Sequence, residues 1–150
     1  MSKIGIFVGT VYGNSLAVAE AAQDILAQQG HEIVIFDEPT LDDWQSYNSD
    51  NNIALIVTSS TGQGDFPDTI APLFYEIKDV LGYQPDLRYG IIALGDSSYE
   101  SFCGAAKHFD ELLTEQSGTR IGDVLFIDAT EVDTPEEFAK AWIQAWSELI

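Results

Sequence analysis

Five short apolar runs recur along this chain, at residues 3–9, 31–36, 53–58, 88–94 and 120–127. They are apolar at consecutive positions, as in Ile4-Gly5-Ile6-Phe7-Val8 and Ile53-Ala54-Leu55-Ile56-Val57, so both faces of each strand are read as covered. Between them lie segments with apolar residues at helical spacing, at 14–29, 69–81, 102–116 and 134–150. Gly30 reads as a helix stop, and Pro72 sits in a first turn, where proline is tolerated. Thr134, Pro135 and Glu137 read as a capping box that opens the last helix. Residues 37–52 are polar and irregular, with Trp44 and Tyr47 expected to pack them down. Such alternation predicts an α/β fold, a three-layer doubly wound five-stranded parallel sheet in the order 2-1-3-4-5. A length of 150 residues, without repeat or linker, fits a single domain over 1–150.

Doubly wound sheets bind ligands outside the carboxyl ends of their strands, where the strand order reverses. In this order that point lies between the first and third strands, which directs attention to the loops after Gly9, Thr58 and Leu94. The first loop, Gly9-Thr10-Val11-Tyr12-Gly13-Asn14-Ser15, offers hydroxyls, an amide and a helix N-terminus, which suit a phosphate held without lysine or arginine. It fits equally an ordinary turn capped by Asn14 or Ser15. Neither the dinucleotide fingerprint nor the P-loop signature is present. The second loop, residues 59–68, places Gly62 and Gly64 two apart, so the backbone can approach a flat ligand. It fits also a flexible connection into the next helix. The third, residues 94–103, sets Tyr99 among small polar residues as a stacking platform, or as a tyrosine leaning on its own helix.

Charge narrows the function. Twenty-five acidic residues against six basic ones leave a net −19. Duplex nucleic acid and anionic membranes both demand Lys and Arg against phosphate, so neither is an expected partner. Fast, salt-sensitive encounters with basic proteins are expected instead. A lone cysteine, Cys103, suits a reducing compartment, and no segment reads as a signal peptide or membrane span; a cytoplasmic location is expected.

Taken together, the three loops resemble those of short-chain flavodoxins, and are similar to the FMN domains of diflavin reductases such as the sulfite reductase flavoprotein. The residues that carry the likeness are Thr10 to Ser15 (T-x-x-G-N-S), Ser60-Thr61-Gly62-Gln63-Gly64-Asp65, and the specific stretch Ala93 to Cys103, followed by Lys107, Phe109-Asp110, Leu112, Gly118 and Arg120-Ile121. The likeness implies a flavodoxin-like fold that binds FMN. Thr10, Val11, Tyr12, Gly13, Asn14 and Ser15 would hold the phosphate. Ser59, Ser60, Thr61 and Gly62 would pass along one face and edge of the ring. Leu94, Gly95, Asp96, Tyr99, Phe102 and Cys103 would line the other side, with Tyr99 stacked flat; Asp128 would reach the ribityl chain. The short stretch after Ile127 and an uninterrupted fifth strand leave no room for the insertion of long-chain flavodoxins. Such flavodoxins usually carry Trp or Tyr where Thr61 stands, which leaves that ring face open, or filled by Tyr12 or Phe66. The likeness further implies a Gly62-Gln63 peptide that turns its carbonyl to the ring after the first electron.

The resulting reading is a low-potential carrier that moves single electrons from a basic NADPH-dependent flavodoxin reductase to acceptor enzymes, as a monomer with no substrate turnover of its own. Two other readings compete with it: an FMN-dependent NAD(P)H:quinone oxidoreductase, for which the chain is short, and a partner-binding module with weak or no FMN. A response-regulator receiver is excluded, because its acidic pair, phospho-accepting Asp and Lys are replaced by Gly9-Thr10, Ser59-Ser60 and Asp128-Ala129. His31 and His108 lack a Ser or Cys partner and are read as structural. Cys103 is read as a small loop or core residue, and Lys107 as a surface cation.

Overall fold

The computed structural model describes residues 2–47, 52–61 and 63–150. Six strands and five helices follow in the order β1 (Lys3–Gly9), α1 (Asn14–Gln28), β2 (Glu32–Phe36), α2 (Leu41–Gln45), β3 (Asn52–Ser59), α3 (Ala71–Val80), β4 (Arg88–Gly95), α4 (Gly104–Glu115), β5 (Thr119–Arg120), β6 (Leu125–Asp128) and α5 (Pro135–Ser147). All pairings are parallel, in the order β2-β1-β3-β4, with β5 and β6 both on the free side of β4. This is the expected 2-1-3-4-5 sheet, its fifth place shared by two segments.

Strand residues alternate between two cores, as the period of two requires. Ile4, Ile6, Val8, Ile53, Leu55, Val57 and Ile92 pack under α1 and α5 with Val18, Ile143 and Trp146. Phe7, Ala54, Ile56, Tyr89, Ile91 and Ala93 pack under α2, α3 and α4 with Trp44, Phe74 and Phe109. Among the described residues no helix is long and apolar enough to cross a membrane.

Three expectations need correction. The stretch read as irregular contains α2, where Thr40 and Asp43 form a reciprocal capping box and Trp44 is fully buried. A five-residue helix shows no hydrophobic period, so the box was its one signal. The fifth strand is broken rather than uninterrupted. Ile121 N–H still bonds Tyr89 O at 2.7 Å, but Gly122 turns the chain with φ +73 and residues 122–124 leave the sheet. Two indoles of α5 take carbonyls in the gap: Trp146 Nε1 donates to Ile121 O at 2.9 Å and Trp142 Nε1 to Asp123 O at 3.1 Å. The capping box expected on α5 does not form. Thr134 makes no side-chain cap bond, and Glu137 pairs with Lys140 at 2.9 Å.

Register places the site. Gly9 lies opposite Thr58, Thr58 opposite Ala93, and Gly95 opposite Asp128, so four loops leave the sheet at one edge.

Candidate cofactor site

A cavity of about 590 Å³ opens at that edge, within the usual range for a small-molecule site. Val11, Tyr12 and Asn14 reach it from the first loop, and Ser59, Ser60 and Thr61 from the second. Leu94, Gly95, Asp96, Tyr99, Phe102 and Cys103 reach it from the third. Gly62 lies outside the described residues. The wall also holds Ser101 and, from the end of β6 onward, Ile127, Ala129, Val132, Asp133 and Pro135. These were not foreseen. Ser101 lies on the third loop already singled out; for the others the only signal was position, since the loop after the last strand leaves the same edge as the other three.

Thr10, Gly13 and Ser15 are not among the lining residues and build the first loop. Thr10 N–H donates to Thr69 Oγ1 at 3.1 Å, and Thr10 Oγ1 accepts from Gly13 N–H at 2.8 Å. Gly13 has φ +90 with nothing near its missing Cβ, so backbone conformation rather than space selects glycine there. It caps α1 with no side-chain bond, and the first turn holds no carboxylate. The backbone N–H groups of Asn14, Ser15 and Leu16 find no acceptor among the described residues, as the opening turn of a helix dictates. Beside them the Ser15 hydroxyl is buried without a hydrogen-bond partner. A buried orphan costs free energy unless something bonds it. A helix opening with free N–H groups, an orphaned hydroxyl and no competing carboxylate is what a phosphate needs.

The second and third loops lock together through backbone. A Cβ at Gly104 would lie 2.8 Å from Gly64 O, and one at Gly64, where φ is +78, would lie 2.6 Å from Ser101 Cβ. Ser60 Oγ accepts from Ala105 N–H at 2.9 Å, so this hydroxyl serves the joint. Cys103, with φ +55, opens α4; burial pushes its thiol up to about 12, which leaves it a neutral wall group at physiological pH. Phe66 does not fill the face left by Thr61. It stacks on Phe74 at 4.3 Å and meets Phe109 edge-on, inside the α3–α4 core. Tyr12, Tyr99 and Phe102 bring rings to the cavity, and of these Tyr12 and Tyr99 are the exposed ones, at 92% and 52%. A flat aromatic ligand would cover them.

Asp128 is also off the wall. Its Oδ1 accepts from Ser97 N–H at 3.1 Å, Thr130 N–H at 3.0 Å and Thr130 Oγ1 at 2.9 Å, tying the third loop to the fourth. Ser97 foremost, then Thr130, hold its carboxyl down to about 2. A lowered folded-state value stabilises above the ordinary carboxylate range, and that support is lost as pH falls toward about 2. Amide shifts of Ser97 and Thr130 should therefore move together in an acid titration from pH about 4 down to about 2. In Asp128→Ala they should stay flat across that window; equal titration in the variant assigns the transition to another acid.

These residues fit FMN: a phosphate seat without cations, two rings for the isoalloxazine, and a wall that includes no Lys or Arg. The family profile for flavodoxin matches residues 6–142. The chain is 56% identical to flavodoxin YqcA of Escherichia coli strain K12 over 150 residues, covering 100% of this chain and 99% of that one. It is 34% identical to the MioC homolog of Haemophilus influenzae over 145 residues, 97% of each chain. A cysteine-to-alanine mutant of flavodoxin from Pseudomonas aeruginosa superposes with a TM-score of 0.89 at 36% identity, over 98% of this chain and 97% of that structure. The chain belongs to the flavodoxin family, whose members are FMN-binding electron-transfer proteins rather than enzymes with a substrate of their own.

Proposed function

We propose that this flavodoxin takes single electrons from a basic, NADPH-dependent flavodoxin reductase in the cytoplasm and hands them, as a monomer, to acceptor enzymes. One observation carries the reading: carboxylates gather around the mouth of the cavity. Asp96 and Asp133 stand on its wall, and Asp65, Asp68 and Glu100 lie exposed on the loops that form it. Bound FMN supplies the redox chemistry; the chain supplies its seat, its orientation and the field around it. A basic partner would meet complementary charge at the mouth, which sets association rate more than affinity. Anaerobic reduction of the FMN-loaded protein by NADPH and a flavodoxin reductase tests it. The second-order rate constant should fall at least about tenfold between 0.05 and 0.5 M salt, since screening shortens to a few ångströms over that range. A salt-independent rate removes electrostatic docking, and no reduction removes this donor.

A further inference from the structure

The chain has six cations, and the fold sends five of them away from the cavity. Lys3 and Arg88 begin β1 and β4, and Arg120, bonded to Asp110 at 2.6 Å, lies opposite Tyr89. All three mark the amino edge of the sheet. Lys78 is in the last turn of α3, and Lys140, midway along α5, is paired with Glu137. Lys107 alone stands in the first turn of a helix at the cavity edge, its N–H bonded to Cys103 O. That is the wrong end of a helix for a cation, because the macrodipole is positive there.

The side chain is nevertheless anchored. Lys107 Nζ lies 5.6 Å from the Phe102 ring centroid and 5.7 Å from that of Phe126, within reach of a cation–π interaction with each. The two rings are 6.2 Å apart and inclined by 34°, so they form one aromatic surface that the charge rests against. Phe102 is on the cavity wall and Lys107 is not; Phe126 is half-exposed on β6. The exposed ammonium thus stands one ring away from the wall, where burial raises the Cys103 thiol and the charge of Lys107 offsets part of that rise.

The geometry points to Lys107 as a positioning residue for the redox reaction. Anchored against Phe102 and Phe126, it offsets part of the negative field of the acidic mouth and eases uptake of the second electron by bound FMN. A bound ring that took this electron from the reductase without a proton would fall in charge by one, with no bond broken. A nearby fixed cation favours the product over the reactant. The inference rests on FMN occupying the cavity.

Dye-mediated potentiometric titration with dithionite, alongside FMN dissociation constants, tests it on the wild type and three variants. Lys107→Gln should lower the equilibrium constant for the second electron roughly three- to tenfold at low ionic strength, and by less at high salt. Lys107→Arg, which keeps the charge, should restore it to within about twofold. Phe126→Leu removes one of the two anchoring rings and should give an intermediate fall. A purely structural lysine would shift FMN affinity or thermal midpoint with no salt-dependent change in this constant, and that result overturns the proposal. So does an Arg variant that behaves like the Gln variant. A wild type that takes up no FMN overturns the site itself, whereas a yellow wild type unmoved by Lys107→Gln overturns only the lysine's role.

Discussion

Trp146→Ala is expected to destabilise the protein by about 3–5 kcal/mol, the range for deleting a large buried aromatic. The indole is 1% exposed and stacks on Trp142 at 5.7 Å. It also occupies the space above Gly90, where a Cβ would come within 2.7 Å of Nε1. Removing it opens a cavity against β4 and leaves Ile121 O without its donor. That carbonyl lies in the break between β5 and β6, so the damage reaches the segment carrying Ile127 to the cavity. Against a typical total of about 5–15 kcal/mol, the loss should be plain in the urea midpoint followed by circular dichroism. Trp146→Phe keeps most of the volume and loses mainly the hydrogen bond, so about 1–2 kcal/mol is expected. A loss under about 1 kcal/mol for the alanine variant would mean the gap holds its shape without the indole.

The same pair of tryptophans shows where sequence reasoning stopped. Their spacing of four predicts one helix face, and that face is buried as expected. Nothing in the spacing says that the two Nε1–H groups bond carbonyls of a strand that leaves its sheet. Residues 120–127 look like one strand because Ile121, Val124, Leu125, Phe126 and Ile127 are apolar; Gly122 was the single contrary sign. Strands one, three and four were legible because each is apolar on both faces and ends near glycine or serine. The three flavin loops followed from their strand ends. The fourth was not legible, since Ala129 and Val132 carry no chemistry of their own and become wall only through the pairing of Gly95 with Asp128. Hydroxyl bookkeeping was also beyond reach. Thr10 and Ser60 each spend one lone pair on the N–H of Gly13 and of Ala105 and keep their O–H free to donate, whereas Ser15, among the described residues, is left buried and unbonded.

That distribution of rings makes Tyr99→Ala the substitution that most weakens FMN binding, by about 1–3 kcal/mol on the scale of base–aromatic stacking. Thr61 offers no ring where flavodoxins usually have one, and Phe66 is spent on Phe74 inside the α3–α4 core. Of the rings on the cavity wall, Tyr99 and Tyr12 are the exposed ones, whereas Phe102 packs against Phe126 and Lys107, so stacking falls to the two tyrosines. Of these Tyr99 is the better held: its N–H donates to Asp96 O at 3.1 Å, and Asp96 Oδ1 accepts from Ser98 N–H at 2.9 Å. Tyr12, at 92% exposure, has little of its own chain packed against it, and fixing such a side chain on a ligand offsets part of its contact energy. Fluorescence titration of apoprotein with FMN should show the dissociation constant rising about 5- to 150-fold in Tyr99→Ala. Tyr99→Phe, which keeps the ring, should stay within about threefold, and Tyr12→Ala should lie between them. If Tyr12→Ala proves the more damaging, the stacking partner is the phosphate-loop tyrosine and the ring sits on the opposite wall. If neither matters, the isoalloxazine is held by the backbone of the loops alone, and the missing aromatic at Thr61 has no replacement on either side.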